Sequence, residues 1–333
     1  MNRRQALRIL GGLGISTTVG SACLWDTDTL REEIAVRPTM WDLLLGQFPH
    51  HGDAYYQARI ARLEKAGELD VASLNDLAVA HVRLKEFKPA WKALEAARLI
   101  KPDHYETLSN MGVTAKKQGD FQKGAEYIAK ALELKPEGHM GLGDWYLKAL
   151  RWRAKNEHST KENPPAKNFL GVAYPESFSD SDYGSDHDKP AKAPTLEDRY
   201  EQLIRNDQSF ADGFVTVGDA LTFRGDLNLS FFAYTRALML DHQNPGEVSR
   251  RRLTYLKYFE TFLSNERNLR GDTHQKAAIK NAEEKINGGL AWLEQFKAVE
   301  TDLLNENADE RLVKFEDVET EMERRGIHRI YLE

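Results

Sequence analysis

Between residues 71 and 138 apolar side chains recur at helical spacing, in two stretches that superimpose when the chain is slid against itself by 34 residues. Leu74 falls on Leu108, Leu77 on Met111, Ala78 on Gly112, Phe87 on Phe121, Ala90 on Gly124, Leu94 on Ile128, Ala97 on Ala131 and Pro102 on Pro136. Each unit predicts a hairpin of two helices. A polar turn (Lys85-Glu86, Gly119-Asp120) divides them. A proline, which lacks an amide hydrogen and clashes with the preceding turn, stops the second. The small residues Ala78/Gly112 and Ala90/Gly124 let the paired helices approach closely.

The pattern extends past these two units, 71–104 and 105–138, in worn form. Leu142, Trp145, Tyr146 and Ala149 continue a first helix, but no second helix follows. Residues 156–194 are rich in Pro, Ser and Asp and predict a mobile insertion. Leu196, Tyr200 and Leu203 then supply the missing second helix. Phe214, Val217, Gly218 and Leu221 form another first helix, which Gly225 breaks, and Tyr234 and Ala237 mark its partner. Towards the N-terminus, Met40, Leu43, Tyr56, Ile60 and Leu63 fit a degenerate first unit with Pro49 and Gly52 in its turn. Repeats are therefore expected over 39–155 and 195–245. Beyond Asn244-Pro245 the period is lost, but helical patterning persists at about 246–265, 273–305 and 308–325. Region 246–333 is expected to cap the stack, since a terminal element must close the core and be polar outside.

The period and the proline position over 71–136 resemble those of the tetratricopeptide repeat. Leu74 and His81 stand where that family usually has tryptophan and tyrosine. The resemblance implies an all-α solenoid of helical hairpins that binds other proteins. Its first helices line the concave face. That face is expected to present Asn75, Val79 and Val82, then Ser109, Asn110, Val113 and Lys116, with Val215, Asp219 and Thr222 from the later unit. Asn75, Val79, Asn110, Val113 and Lys116 are the expected partner-binding residues. Amides pair with a ligand backbone and valines supply burial. Arg83, Lys116 and Lys117 are placed to meet carboxylates. For Asn110 a bond across the hairpin is an equal alternative.

Residues 1–22 carry Arg3, Arg4 and Arg8 and no acid, then an uncharged run ending in small residues, which reads as an export signal. Arg3-Arg4 with Leu7 and Arg8 resembles a twin-arginine signal. Gly20-Ser21-Ala22-Cys23 resembles a bacterial lipobox, which implies lipidation of Cys23 followed by a tether over 23–38. The expected location is thus the outer side of a membrane, with a lipid anchor. A retained cytoplasmic tail is the alternative. Cys23 is the only cysteine, so an intramolecular disulfide and a cysteine-rich zinc site are excluded. Lys+Arg total 46 against 52 Asp+Glu, which argues against a nucleic-acid partner.

Catalytic signatures are scarce. Phosphate-binding loops, zinc-protease helices and nucleophile elbows are absent. His50-His51 beside Asp53 offers metal ligands but reads better as a turn. The aspartates from Asp180 to Asp188 suggest calcium, yet Ala191 stands where a bidentate Glu is required, so a solvated acidic loop is expected. Arg270-Gly271-Asp272 matches an adhesion tripeptide and reads as a helix end. The sequence therefore predicts no catalytic residue, no metal and no cofactor. It predicts an anchored scaffold for a protein partner. The alternative is an enzyme with 156–194 as an active-site lid.

Overall fold

The computed structural model describes residues 36–171, 196–253, 272–307 and 309–331. The export signal at 1–22, Cys23 and most of its tether lie outside these residues. So do the aspartate run, Arg270-Gly271 and the second half of the helix expected over 246–265. The described chain is helical, with no extended strand. It begins with α1 (Met40–Leu45) and α2 (Asp53–Lys65). Two hairpins follow, α3 (Val71–Arg83) with α4 (Phe87–Ile100) and α5 (Tyr105–Lys117) with α6 (Phe121–Leu134). Helix α7 (Gly143–Lys155) stacks on α6. After the insertion come α8 (Leu196–Asn206) and a third hairpin, α9 (Ala211–Phe223) with α10 (Leu227–Met239). Residues 245–253 are helical, and α11 (Asp272–Glu306) and α12 (Phe315–Arg324) complete the fold.

The three hairpins share one local design. A small residue on the first helix faces a larger one that stands sixteen residues later: Ala78 with Leu94, Gly112 with Ile128, Gly218 with Tyr234. The space between the helices is tight. A methyl group on Gly112 would lie 2.7 Å from Ile128 Cδ1, and one on Gly218 would lie 2.8 Å from Tyr234 Cε1. Seven residues after each small residue the chain turns through the left-handed region, at Lys85 (φ 61°), Gly119 (φ 88°) and Gly225 (φ 84°). Glycine adopts that conformation without steric cost, whereas Lys85 does so with its Cβ crowded. Asp120 then caps α6 by accepting from the Lys123 amide at 2.9 Å.

The degenerate first unit departs from the expected hairpin. Helix α1 packs against α8, α10 and α11. Its sequence explains this: Trp41, Leu43, Leu44 and Leu45 are apolar all round and every residue from 41 to 52 is buried. Thr39 and Asp42 form a capping box, and Gly46 at φ 72° ends the helix.

The C-terminal region does more than cap. Helix α11 packs on α10, α1 and α2, while α2 packs on α3, so α11 joins the last hairpin to the first. At the other junction Trp145 of α7 meets Tyr200 of α8, with ring centroids 5.7 Å apart. The stack of helices thereby closes on itself. Polar contacts hold the seam: Arg62 pairs with Glu310 at 2.7 Å, and His51 Nδ1 hydrogen-bonds with Glu300 Oε1 at 2.5 Å.

The expectation of a mobile insertion also needs correction over its first part. Phe169 is buried in the core, 5.3 Å from the Phe210 ring, and the Trp152 indole donates to the Lys167 carbonyl at 2.8 Å. Aromatic burial outweighs the turn-forming composition around it. Residues 172–194 lie outside the described residues.

Candidate binding cleft

The five residues expected on an open concave face occupy the inner sides of α3 and α5, and all five are buried. Asn75 donates to the Val71 carbonyl and to Thr107 Oγ1, both at 2.8 Å, and accepts from Asn110 Nδ2 at 2.9 Å. The amides thus stitch one repeat to the next, so Asn110 bonds to the neighbouring repeat rather than across its own hairpin. Val79 and Val113 pack together with Val82 and Ala90, covered by Phe87 and Tyr146. From the later unit, Val215 is buried and Asp219 accepts from Tyr234 Oη at 2.7 Å while also pairing with Arg251.

The concave side is filled by the chain itself. Tyr146 of α7 covers the valines, the corner between α8 and α9 reaches Lys116, and the segment after α1 is buried throughout. His50 in that segment is buried, and neither ring nitrogen has a hydrogen-bond partner. Burial, with the charges of Arg83, Lys297, Arg205 and His51, holds its pKa well below the ordinary imidazole value. His51 pairs with Glu300, whose other oxygen accepts from the Gly52 amide at 2.7 Å. The metal reading of this histidine pair finds no support: among the described residues no three His, Cys, Asp or Glu side chains group to hold an ion.

Lys116 leads to a site that periodicity does not reveal. Its ammonium donates to Asp207 Oδ2 at 2.6 Å, and Arg153 NH1 stands 3.8 Å from the same oxygen. Ser209 donates to the other oxygen from its hydroxyl (2.6 Å) and its amide (3.2 Å). Burial alone would raise the Asp207 pKa, but Lys116, Arg153 and Lys117 outweigh it, and the carboxyl stays far below its usual range. Lys116, Arg153 and Asp207 line a cleft between α5, α7 and the α8–α9 corner. Its free volume is about 20 Å³, room for about one water molecule. Its walls include Leu142, Tyr146, Ala149, Leu150, Leu203 and Phe210.

His139 lines the same cleft and sits in a 3₁₀ turn (His139–Gly141) at φ 55°, an uncommon conformation for a residue with a side chain. The Tyr105 hydroxyl fixes the turn by accepting from the His139 amide at 2.7 Å. The ring is buried, both ring nitrogens lack partners, and burial with the Lys116 charge lowers its pKa to about 3. The imidazole is therefore neutral near pH 7. Asn206 Oδ1, also lining the cleft, is likewise buried and unpaired. Of this constellation only Lys116 falls on the repeat register. His139 follows Pro136, and Asn206-Asp207 read in sequence as an ordinary turn between helices.

A comparison with protein families finds a tetratricopeptide repeat at residues 105–137, the α5–α6 hairpin and its exit. No curated protein matches the chain. Among the described residues no helix is long and apolar enough to cross a membrane.

Proposed function

We propose that this protein is an interaction scaffold on the outer side of a membrane, held there by lipidated Cys23, which binds a partner protein. The tetratricopeptide repeat at 105–137, set within a helical-hairpin solenoid, carries this reading. Such repeats mediate protein–protein contacts and are typically non-catalytic. The export-type residues 1–22 and the single cysteine at 23 support the location.

Because the inner faces are buried, the partner meets the outer side. Ile100 and Leu134 occupy equivalent ends of α4 and α6 and are exposed by 60% and 46%, with Leu99 beside them at 83%. Large apolar side chains exposed at one register of successive repeats form a row suited to contact. The test is capture from membranes of wild type and of an Ile100→Asp/Leu134→Asp variant. Loss of a partner in the variant, with unchanged circular dichroism, is the expected result. Equal recovery from both would remove the outer row from the interface. Fractionation of Cys23→Ala checks the anchor separately: it is expected to leave the membrane pellet.

A further inference from the structure

The segment between α1 and α2 meets α11 at the point where the stack closes. His51 stacks on Tyr55 with ring centroids 3.6 Å apart and lies 4.4 Å from the Phe315 ring. Gly52 lets the segment lie directly on α11, since a methyl group there would stand 3.1 Å from Lys297 Cβ. His50, one residue earlier, is 4% exposed, lies edge-on to Phe48 at 4.3 Å, and has no hydrogen-bond partner on either ring nitrogen. A neutral imidazole tolerates such a place. An imidazolium carries two N–H donors and a charge, and a buried site must answer all three.

The surroundings of His50 cannot answer them. Arg83 of α3, Arg205 of α8, Lys297 of α11 and the adjacent His51 all oppose a positive charge there. The carboxylates of the seam are engaged elsewhere. Glu300 of α11 bonds His51 through Oε1 and accepts from the Gly52 amide through Oε2, and Asp76 of α3 pairs with Arg59 of α2 at 3.3 Å. Asp53, at the start of α2, is exposed.

We propose that residues 48–52 form an acid-sensitive latch: a proton on His50 displaces the segment from α11 and opens the closed stack at this seam, while the hairpin α5–α6 stays folded. Helix α11 packs on α1, α2, α10 and α12, so the hairpin keeps its own packing when the seam parts. Burial, with the surrounding positive charge, holds the His50 pKa well below the ordinary imidazole value, so the opened form takes up the proton, near pH 6.5. The closed form is therefore favoured fully above about pH 6.5 and loses ground below it.

Hydrogen–deuterium exchange of the full chain at pH 7 and pH 5, corrected for the intrinsic pH dependence of exchange, tests the proposal. One proton bound only on opening should raise the opening constant of α2 and of residues 290–306 about 25-fold over that range. Residues 105–134 should change less than about threefold. His50→Gln and His50→Leu, neither of which titrates there, should each cut the seam's rise to about threefold or less. His139→Asn, at the other buried imidazole, should leave it intact. The wild-type comparison needs no variant: equal rises in α2 and α5 would make the acid response global and overturn the proposal. So would no rise at α2, a rise that the His50 variants retain, or one that His139→Asn abolishes. Ile100→Asp/Leu134→Asp should exchange as wild type does at the seam, so this inference and the partner reading fail separately.

Discussion

The hairpins α5–α6 and α9–α10 share a register and differ in what surrounds them. In α5–α6 the first helix is buried from Thr107 to Lys116, but the second buries only Gly124, Ala125, Ile128 and Ala131. In α9–α10 both helices are buried: Asp212 to Leu221 on the first, Ser230 to Ala237 on the second. The difference lies in the neighbours of the second helix: α1 and α11 both pack on α10, from the two ends of the described chain, whereas α6 meets α7 alone outside its own hairpin. One hairpin design thus serves as an outer wall in one half and as an interior in the other. The neighbours are decisive, because helical stability comes mainly from the faces that are packed.

Truncation should show this contrast most strongly. Leu44 of α1 and Leu94 of α4 are both fully buried. Leu44→Ala is expected to cost about 5 kcal/mol, at the top of the range for leucine truncation, because packed helices prevent the site from collapsing. Leu94→Ala, beneath a solvent-facing helix, should cost about 3 kcal/mol. Urea unfolding measures both, and equal costs would break the comparison. Overpacking sharpens it. Gly112→Leu and Gly218→Leu should each cost about 1–3 kcal/mol, with Gly218→Leu the larger. Ile128 can turn about its own side-chain bonds, although its Cγ1 and Cδ1 both stand 2.7 Å away, whereas the Tyr234 ring is held by its bond to Asp219. If Gly112→Leu proves the more damaging, the outer wall is the tighter of the two.

Acid gives the smallest effect. His50 and His139 both have pKa values lowered by burial, His139 to about 3. The unfolded chain takes up these protons near pH 6.5, the folded chain only far below. Their contribution is therefore fully present above about pH 6.5 and is lost as pH falls below it, for His139 down to about 3. Each histidine adds at most about 1.4 kcal/mol per pH unit to the slope in that window. His50→Gln and His139→Asn should each flatten the fall in urea midpoint between about pH 6 and pH 4. An unchanged slope would place the acid response on other groups.

The helices were legible where local pattern decides them. Small residues, turns and prolines at one period predict α3 to α6, and the same register holds at Gly218, Tyr234 and Gly225 without a recognisable repeat between. Closure was not legible. Periodicity marks which face of a helix is apolar but not which distant element covers it. Asn75, Val79, Asn110, Val113 and Lys116 therefore read as a groove, while the groups that cover Val113 and Lys116, Tyr146 and Asp207, come from helices and turns whose placement no period announces. Leu43-Leu44-Leu45 held a clue: an all-round apolar turn of helix belongs inside a protein rather than at the edge of a stack.

The closing seam joins positions far apart in the chain. The Trp41 indole donates to the Ile330 carbonyl at 3.1 Å, and Gln47 donates to the same oxygen at 2.7 Å. An open repeat array can nucleate anywhere and grow by neighbours. Here the first core helix lacks its complete burial site until residue 330 has been synthesised. Until then, three consecutive leucines remain without their final partners, a state prone to association with other chains. Contacts that span nearly the whole chain also slow folding, because the entropy of closing that loop is lost before the contacts form. A protein truncated before Ile330 would keep its repeats and lose the contacts by which α1 and the segment around Ile330 secure each other.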